Sequence, residues 1–229
     1  MAPIGFSTGC IKLADLKVGL SAAETSVAAV ELCALREHTF IPLIDSLDEL
    51  NLDRFSYVSF HVPSKLEKLS EEVVVERLRP VASRGWSMVV HPDVALSPRL
   101  WKPFGELLCI ENMDKRKPCG RTTDELSEIF EAFPEASLCF DIGHARQIDP
   151  TMGEAERMLK TFAGRIRQIH LSAVDSHSKH ATLDRQSISE FQRLAHLIPK
   201  DAPVILETPI KKEAVPKELD RARRALGWD

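Results

Sequence analysis

Eight short apolar segments recur at fairly even spacing along the 229 residues, and they constrain the fold more than any other feature. Each segment is four to six residues long and is bounded by polar or turn-forming residues. Continuous apolar runs of this length are typical of strands that are buried on both faces of a sheet. The segments are Pro3–Ser7, Val27–Leu32, Tyr57–Val62, Trp86–His91, Leu107–Glu111, Ser137–Ile142, Ile166–Leu171 and Val204–Glu207.

Helical patterns separate most of these segments. Five stretches place apolar residues near a 3.6-residue period, and weaker patterns occupy Lys12–Ala23 and Ser97–Phe104. The alternation predicts a single (β/α)8 TIM barrel domain over residues 1–229. An open doubly wound sheet is the alternative, and the lack of a glycine-rich phosphate loop after the first segment disfavours it. The five stretches are Ser64–Ser83, Thr122–Phe133, Glu154–Phe162, Ser187–Leu197 and Lys212–Leu226.

Composition narrows the cellular setting. Five cysteines occur without any CxxC pair, which predicts free thiols in a reducing compartment. The amino terminus lacks a signal-peptide pattern, and no apolar run approaches the roughly 18 residues that span a membrane. We therefore expect a cytoplasmic protein without membrane association. The formal net charge of −4 makes no general electrostatic case for nucleic acid. The oligomeric state is left open.

Histidines and carboxylates lie at or beside the carboxyl ends of six predicted strands. In a barrel these ends meet at one face, so residues distant in sequence should converge there. A single histidine at a strand end is usually a hydrogen-bonded core residue, but six together would bury costly charge. Imidazoles and carboxylates are ligands of divalent ions, so the pattern predicts a metal centre. The residues are His61, His91, Glu111, Asp141 with the following His144, His170 and Glu207. By contrast, His38 and His196 fit surface or helix positions.

At these residues the chain resembles the xylose isomerase-like TIM barrel superfamily, which contains endonuclease IV and the sugar isomerases and epimerases. Glu111, Asp141, His170 and Glu207 resemble the four-ligand metal core that both branches share. The segments Val90-His91-Pro92, Ile110-Glu111-Asn112 and Phe140-Asp141-Ile142-Gly143-His144 are similar to endonuclease IV, as is the intervening Thr-Thr-Asp-Glu-Leu helix. The segment from His180 to Leu183 resembles a His-x-x-Leu pattern that ends the seventh loop in many members.

The resemblance implies two or three divalent ions. His61 and His91 would bind one ion with Glu111 bridging, and Asp141, His170 and Glu207 would hold the second. His144 and His180 would hold a third, but the chain has Ser178 where endonuclease IV has an aspartate. Asp175 in the same loop is the alternative carboxylate. Histidine-rich ligation favours zinc, although the four-ligand core also binds manganese or magnesium in relatives.

Three functions stay open at this point. In a phosphoester hydrolase, the ions would activate a bridging hydroxide and stabilise the leaving oxygen. In a sugar or sugar-phosphate isomerase or epimerase, one ion would hold the sugar oxygens while Glu111 and Glu207 transfer a proton. A non-catalytic metal-binding barrel would be expected to have lost ligands. The additional His61 and His91 favour hydrolysis, as does Ser176 at a position where 3-epimerases usually have an arginine.

The loops expected on the active face are locally basic. These cations predict a rim that attracts an anionic, phosphorylated small-molecule substrate, although solvated surface charge would produce the same pattern. DNA is less favoured because the loops are short and aromatic residues make up only 6% of the chain. The candidate substrate-binding residues are Lys115, Arg116, Lys117, Arg121, Lys179 and Lys211, with Arg146, Arg185 and Lys212 nearby in the same loops.

Overall fold

The computed structural model describes residues 2–10 and 27–228, and in it eight parallel strands close into a barrel. Each strand pairs with the next along the chain, and β8 closes the ring by pairing with β1. All eight predicted strands are confirmed, each within two residues of the predicted ends. The strands are β1 (Ile4–Ser7), β2 (Ala29–Cys33), β3 (Tyr57–His61), β4 (Ser87–Val90), β5 (Leu108–Glu111), β6 (Ser137–Asp141), β7 (Ile166–Leu171) and β8 (Val204–Leu206).

Helices cover the outside of the barrel and bury their apolar faces against it. The predicted helices after β5, β6, β7 and β8 are confirmed, and the prediction for Lys12–Ala23 lies outside the described residues. The α-helices are α1 (Glu37–Asp45), α2 (Glu71–Arg77), α3 (Arg79–Ser83), α4 (Pro98–Trp101), α5 (Thr123–Ala132), α6 (Ile142–Ile148), α7 (Gly153–Thr161), α8 (Arg185–Leu194) and α9 (Val215–Ala225). Short 3-10 turns occupy Thr8–Cys10, Leu47–Glu49, Lys102–Leu107, Ala163–Arg165, Ala195–Leu197 and Lys212–Ala214.

The predicted helix over Ser64–Ser83 is wrong in its first turns. The Glu37 carboxylate accepts hydrogen bonds from the backbone N–H groups of residues 67, 68 and 69, which holds this stretch as a loop. The helix starts only at Glu71, where the Ser70 side chain caps the Val73 N–H. The long-range contact from Glu37 therefore overrides a locally helical pattern.

Two helices were not predicted from sequence. Helix α1 contains Pro42, which disfavours a helical interpretation of the sequence. Helix α6 begins directly at the end of β6, because the Asp141 side chain accepts the His144 N–H at 2.7 Å and caps the first turn. A strand therefore passes into a helix without an intervening loop, which brings His144 beside Asp141.

The apolar core lies between the barrel and its helices, while the barrel interior also contains buried polar side chains such as Ser59 and Gln168. All five cysteines are free thiols, as predicted. Among the described helices, none combines the length and the apolar character needed to cross a membrane.

Candidate metal centre

Glu111, the last residue of β5, lies at the centre of the clustered side chains. Its Oε2 is 3.3 Å from His61 Nε2 and 3.1 Å from His91 Nε2. Its Oε1 faces the other way and is 3.2 Å from His170 Nδ1 and 3.5 Å from His144 Nδ1. The carboxylate thus separates two sets of imidazoles, each facing a different oxygen, and only 1% of the residue is exposed.

The eight predicted ligands form three overlapping groups at the carboxyl ends of the strands. Within each group, one ligand atom per residue lies within 4.8 Å of all the others. Glu111 belongs to two of the groups and Asp141 to two. The groups are His61, His91 and Glu111; Glu111, Asp141, His170 and Glu207; and Asp141, His144 and His180.

Hydrogen bonds from a side chain to the backbone fix the carboxyl ends of β5 and β6 relative to each other. The buried Asn112 side chain accepts the Asp141 N–H at 2.7 Å and donates to the Asp141 carbonyl at 2.8 Å. Two residues later, Gly143 passes so close to β7 that an added Cβ would lie 2.5 Å from the Ser172 carbonyl oxygen. The Ile-Glu-Asn and Asp-Ile-Gly-His segments therefore have a structural reason for their sequence, since both position side chains of the predicted ligand set.

Protonation of the cluster is shared between imidazoles and carboxylates. Burial lowers the pKa of His61, but the contact with Glu111 and the charge of Glu31 outweigh it and raise the pKa to about 9. Burial would raise the pKa of Glu111, but His170 and the other imidazoles hold it well below its usual range. Burial raises the pKa of Asp141 to about 6, and it lowers the pKa of His91. The cluster therefore holds protons that a divalent ion would displace.

Several buried polar atoms in the cluster make no well-aligned hydrogen bond within the described part of the chain, although the Glu111 and Glu207 oxygens lie near imidazole nitrogens. Buried polar atoms are normally satisfied, so a concentration of unpartnered ones in one site indicates a missing cation or solvent. The donor set is three carboxylates and several imidazoles, which suits a divalent transition metal. The unpartnered buried atoms are Glu111 Oε2, Asp141 Oδ2, Glu207 Oε2 and His91 Nδ1. The residues present therefore fit a bound metal.

The third group differs from the family pattern in its acidic ligand. Ser178 has a left-handed backbone (φ 58°) and donates to Gln147 Oε1 at 2.8 Å. The Asp175 carboxylate accepts the N–H groups of residues 177 and 179, so it caps its own loop. Besides its own member Asp141, the group has Asp114 nearby, whose Oδ2 is 3.9 Å from His144 Nε2. His180 completes the group, with its Nδ1 bonded to Ser172 at 2.7 Å.

Three of the predicted substrate-binding cations are paired within the protein. Lys117 Nζ is 2.8 Å from Asp93 Oδ2, Arg116 Nη2 is 2.7 Å from Asp114 Oδ2, and Arg121 Nη2 is 2.7 Å from Glu125 Oε1. Lys115 donates to the Ser176 carbonyl at 2.6 Å, which ties the loops after β5 and β7. Lys179 and Lys211 are exposed and have no ion-pair partner among residues 2–10 and 27–228. Among the six candidate substrate-binding residues, these three lysines therefore have charges that are not ion-paired within the described residues.

Glu31 in β2 is a buried carboxylate that the sequence interpretation missed. Its Oε2 lies 2.9 Å from His170 Nε2, on the side of that imidazole away from Glu111. The signal in the sequence was a charged residue inside the apolar run Ala-Val-Glu-Leu-Cys. Such a residue is costly to bury without a partner, which is itself an indication of a functional contact.

Comparisons with known proteins identify the fold. No protein-family model matches the chain, and no curated protein sequence is similar to it. Solved structures do match over nearly the whole length. A 3-keto-D-glucoside 4-epimerase, YcjR, from E. coli covers 100% of this chain and 98% of its own, with a TM-score of 0.64 at 14% identity. Endonuclease IV from Thermus thermophilus covers 99% and 100%, with a TM-score of 0.61 at 19% identity.

Two further solved structures have the same barrel. The IOLI protein with a binding zinc atom matches with a TM-score of 0.62 at 12% identity, covering 99% of this chain and 98% of its own. A xylose isomerase-like TIM barrel protein from Mycobacterium smegmatis, in complex with magnesium, matches with a TM-score of 0.58 at 14% identity, covering 99% and 98%. The structural neighbours are xylose isomerase-like TIM barrel proteins, and this chain has their fold.

Proposed function

We propose that this chain is a metal-dependent phosphoester hydrolase with at least two divalent ions. The observation that carries the proposal is the position of Glu111, whose two oxygens face two separate sets of imidazoles at 3.1–3.5 Å. A carboxylate in that position is suited to bridge two ions. Paired ions are typical of enzymes that displace an oxygen at phosphorus.

The residues that would hold the ions divide into two sets around Glu111. His61 and His91 would hold the first ion, and Asp141, His170 and Glu207 the second, with His144 and His180 beside Asp114 as a third site. The number of imidazoles favours zinc over magnesium. When bound, such ions supply Lewis acidity, which lowers the pKa of water towards roughly 7 and stabilises negative charge on a leaving oxygen.

The chain's own residues bind and orient the substrate. Lys115, Lys179 and Lys211 lie in loops at the carboxyl ends of β5, β7 and β8, and their free charges would attract a phosphorylated small molecule. Water adds its oxygen to phosphorus, the ester P–O bond breaks, and the released oxygen takes up a proton. Five free thiols favour the reducing cytoplasm as the site of this activity.

A sugar or sugar-phosphate isomerase or epimerase is the second candidate. Glu111 Oε1 and Glu207 Oε2 lie 3.2 and 3.3 Å from the same nitrogen, His170 Nδ1, so both carboxylates border one ligand group. Two carboxylates on either side of one ion could remove and return a proton at carbon. The fold likeness to a 3-keto-D-glucoside 4-epimerase is compatible with this chemistry.

One assay panel separates the two candidates. Protein loaded with zinc or manganese would be tested on bis(p-nitrophenyl) phosphate, on abasic-site DNA and on free and phosphorylated sugars. We expect phosphodiester cleavage that is lost in Glu111→Gln and retained in His196→Ala. Turnover of sugars alone would reject the hydrolase proposal and support the isomerase, and cleavage of abasic DNA would assign a nucleic-acid substrate.

A further inference from the structure

The carboxylate of Glu31 lies inside the barrel, next to the proposed metal centre. It is fully buried in the middle of β2, and no lysine or arginine pairs with it in the described parts of the chain. Its Oε2 is 2.9 Å from His170 Nε2, 2.8 Å from Gln168 Nε2 and 3.5 Å from Ser59 Oγ. Its Oε1 is buried without a hydrogen-bond partner. Burying a charged carboxylate costs so much free energy that it requires a cationic or strongly polarised neighbour.

His170 is that neighbour, and its two ring nitrogens have different surroundings. Nε2 lies 2.9 Å from Glu31 Oε2 and 2.8 Å from Gln168 Nε2, a second donor that shares this carboxylate oxygen. Nδ1 faces Glu111 Oε1 at 3.2 Å and Glu207 Oε2 at 3.3 Å. A proton on Nε2 would be donated to the Glu31 carboxylate. The lone pair on Nδ1 would then point into the group formed by Glu111, Asp141, His170 and Glu207.

We propose that Glu31 is the positioning residue of the second metal site. It fixes the tautomer and ring orientation of His170, and its negative charge strengthens Nδ1 as a ligand. A carboxylate that accepts the second N–H of a ligating histidine typically changes metal affinity by about 10- to 100-fold. This inference rests on the metal centre of the proposed function and on no particular reaction.

Glu31 is itself held in place by a hydrogen-bonded chain across the barrel. Gln168 donates to Glu31 from β7, and Tyr57 at the start of β3 donates to Gln168 Oε1 at 2.8 Å. Gln168 is fully buried, so these bonds are shielded from water. The chain Tyr57–Gln168–Glu31–His170 therefore links the barrel interior to the metal ligand. Tyr57→Phe should therefore lower the zinc affinity of the second site, as a Glu31 variant does, but by a smaller factor.

The test is a zinc titration of metal-stripped protein with a competing chelator, so that affinity is measured without any substrate. We expect Glu31→Ala to lower the affinity for one of the two zinc ions by about 10- to 100-fold. Glu31→Gln should lower this affinity less, because glutamine keeps a hydrogen-bond acceptor but loses the charge. The affinity of the other ion should stay within about twofold of wild type. The His91→Ala variant impairs the first group and so leaves the second site as the main zinc site. In this background, Glu31→Ala should lower the affinity of the zinc ion that still binds.

The matched control is Glu71→Gln, which removes a structural carboxylate that binds Ser97 and Trp101 and is not a member of the ligand groups. It should lower thermal stability without changing zinc affinity. Nitrogen-15 NMR of metal-free protein, at a pH high enough for the His170 ring to be neutral, provides a second readout. We expect the Nε2–H tautomer in wild type and a mixture of tautomers in Glu31→Ala.

Failure of the proposed function and failure of the Glu31 inference would give different results. Wild type that binds fewer than two ions would overturn the proposed function. Wild type that binds two ions, with folded Glu31→Gln and Glu31→Ala binding both at wild-type affinity and keeping the same tautomer, would overturn this inference alone. If Glu31→Ala does not fold, the comparison between Glu31→Gln and Tyr57→Phe decides in the same way.

Discussion

Gly143→Ala should both destabilise the fold and disturb the metal centre, because Gly143 has no room for a side chain. The new Cβ would lie 2.5 Å from the Ser172 carbonyl oxygen and 2.8 Å from Val174 Cγ2. An ordinary contact needs about 3.4 Å, so α6 and the end of β7 must separate by about 0.9 Å. Asp141 and His144 flank this glycine, and the displacement therefore reaches two proposed ligands.

Two energies oppose each other in this variant. Alanine is the better helix former by about 0.5–1 kcal/mol, whereas forcing a methyl group into a packed contact costs about 1–3 kcal/mol. The first contact is with backbone, which cannot rotate away, so we take the cost to be at the upper end and the net loss to be about 2 kcal/mol. For a domain of this size, that loss lowers Tm by roughly 4–8 °C.

The assay is thermal unfolding in the presence of a chelator, followed by metal analysis of protein purified without added metal. Gly164→Ala is the matched control, because an added Cβ there meets no atom within 4 Å. It should not lower Tm and should leave metal content unchanged. If Gly143→Ala unfolds within about 1 °C of wild type and keeps full metal content, the close approach of α6 to β7 is not what positions these ligands.

Three further predictions concern the rim lysines, the pH dependence of zinc binding, and the hydrogen bonds of Asn112 between the ends of β5 and β6. Replacing Lys179 and Lys211 with Ala should raise KM for a phosphodiester by up to about fivefold for each lysine and leave kcat unchanged, whereas Arg121→Ala should change neither, since Arg121 is paired with Glu125. Zinc affinity should fall as the pH is lowered from about 8 to about 6. For each proton that zinc displaces on binding, the fall should be about tenfold per pH unit. The reason is that His61, with a pKa raised to about 9, is protonated below that pH and must lose its proton to bind metal; a flat calorimetric pH profile would contradict this. Asn112→Ala should cost about 2–4 kcal/mol in chemical denaturation of metal-free protein, because it removes the acceptor of the buried Asp141 N–H and one donor to the Asp141 carbonyl. A loss below about 1 kcal/mol would show that water replaces the side chain.

Barrel topology explains why so much of the candidate site could be predicted from sequence. Parallel strands place their carboxyl ends at one face, so a histidine or carboxylate at each end is enough to predict that His61, Glu111 and Glu207 meet. The same reasoning needs no knowledge of loops or of helix packing. All eight strand segments could be predicted because their apolar runs reflect burial on both faces.

Contacts between distant residues account for what could not be predicted. Glu31 lies in the middle of a strand, and periodicity does not tell which side of β2 faces His170. The loop before α2 depends on Glu37, about 30 residues earlier in the chain. Lys117 forms an ion pair with Asp93 and is therefore not free to bind a substrate. This pair joins the loops after β4 and β5, and sequence periodicity does not predict such a contact.

Metal analysis of wild type and Glu111→Gln, both purified without added metal, decides whether Glu111 is shared between two ions. We expect two or more zinc ions per wild-type chain, and a marked loss of metal in Glu111→Gln because one substitution removes a ligand from both sites. His196→Ala should match wild type. A single ion per wild-type chain, or normal metal content in Glu111→Gln, would contradict the shared-carboxylate centre.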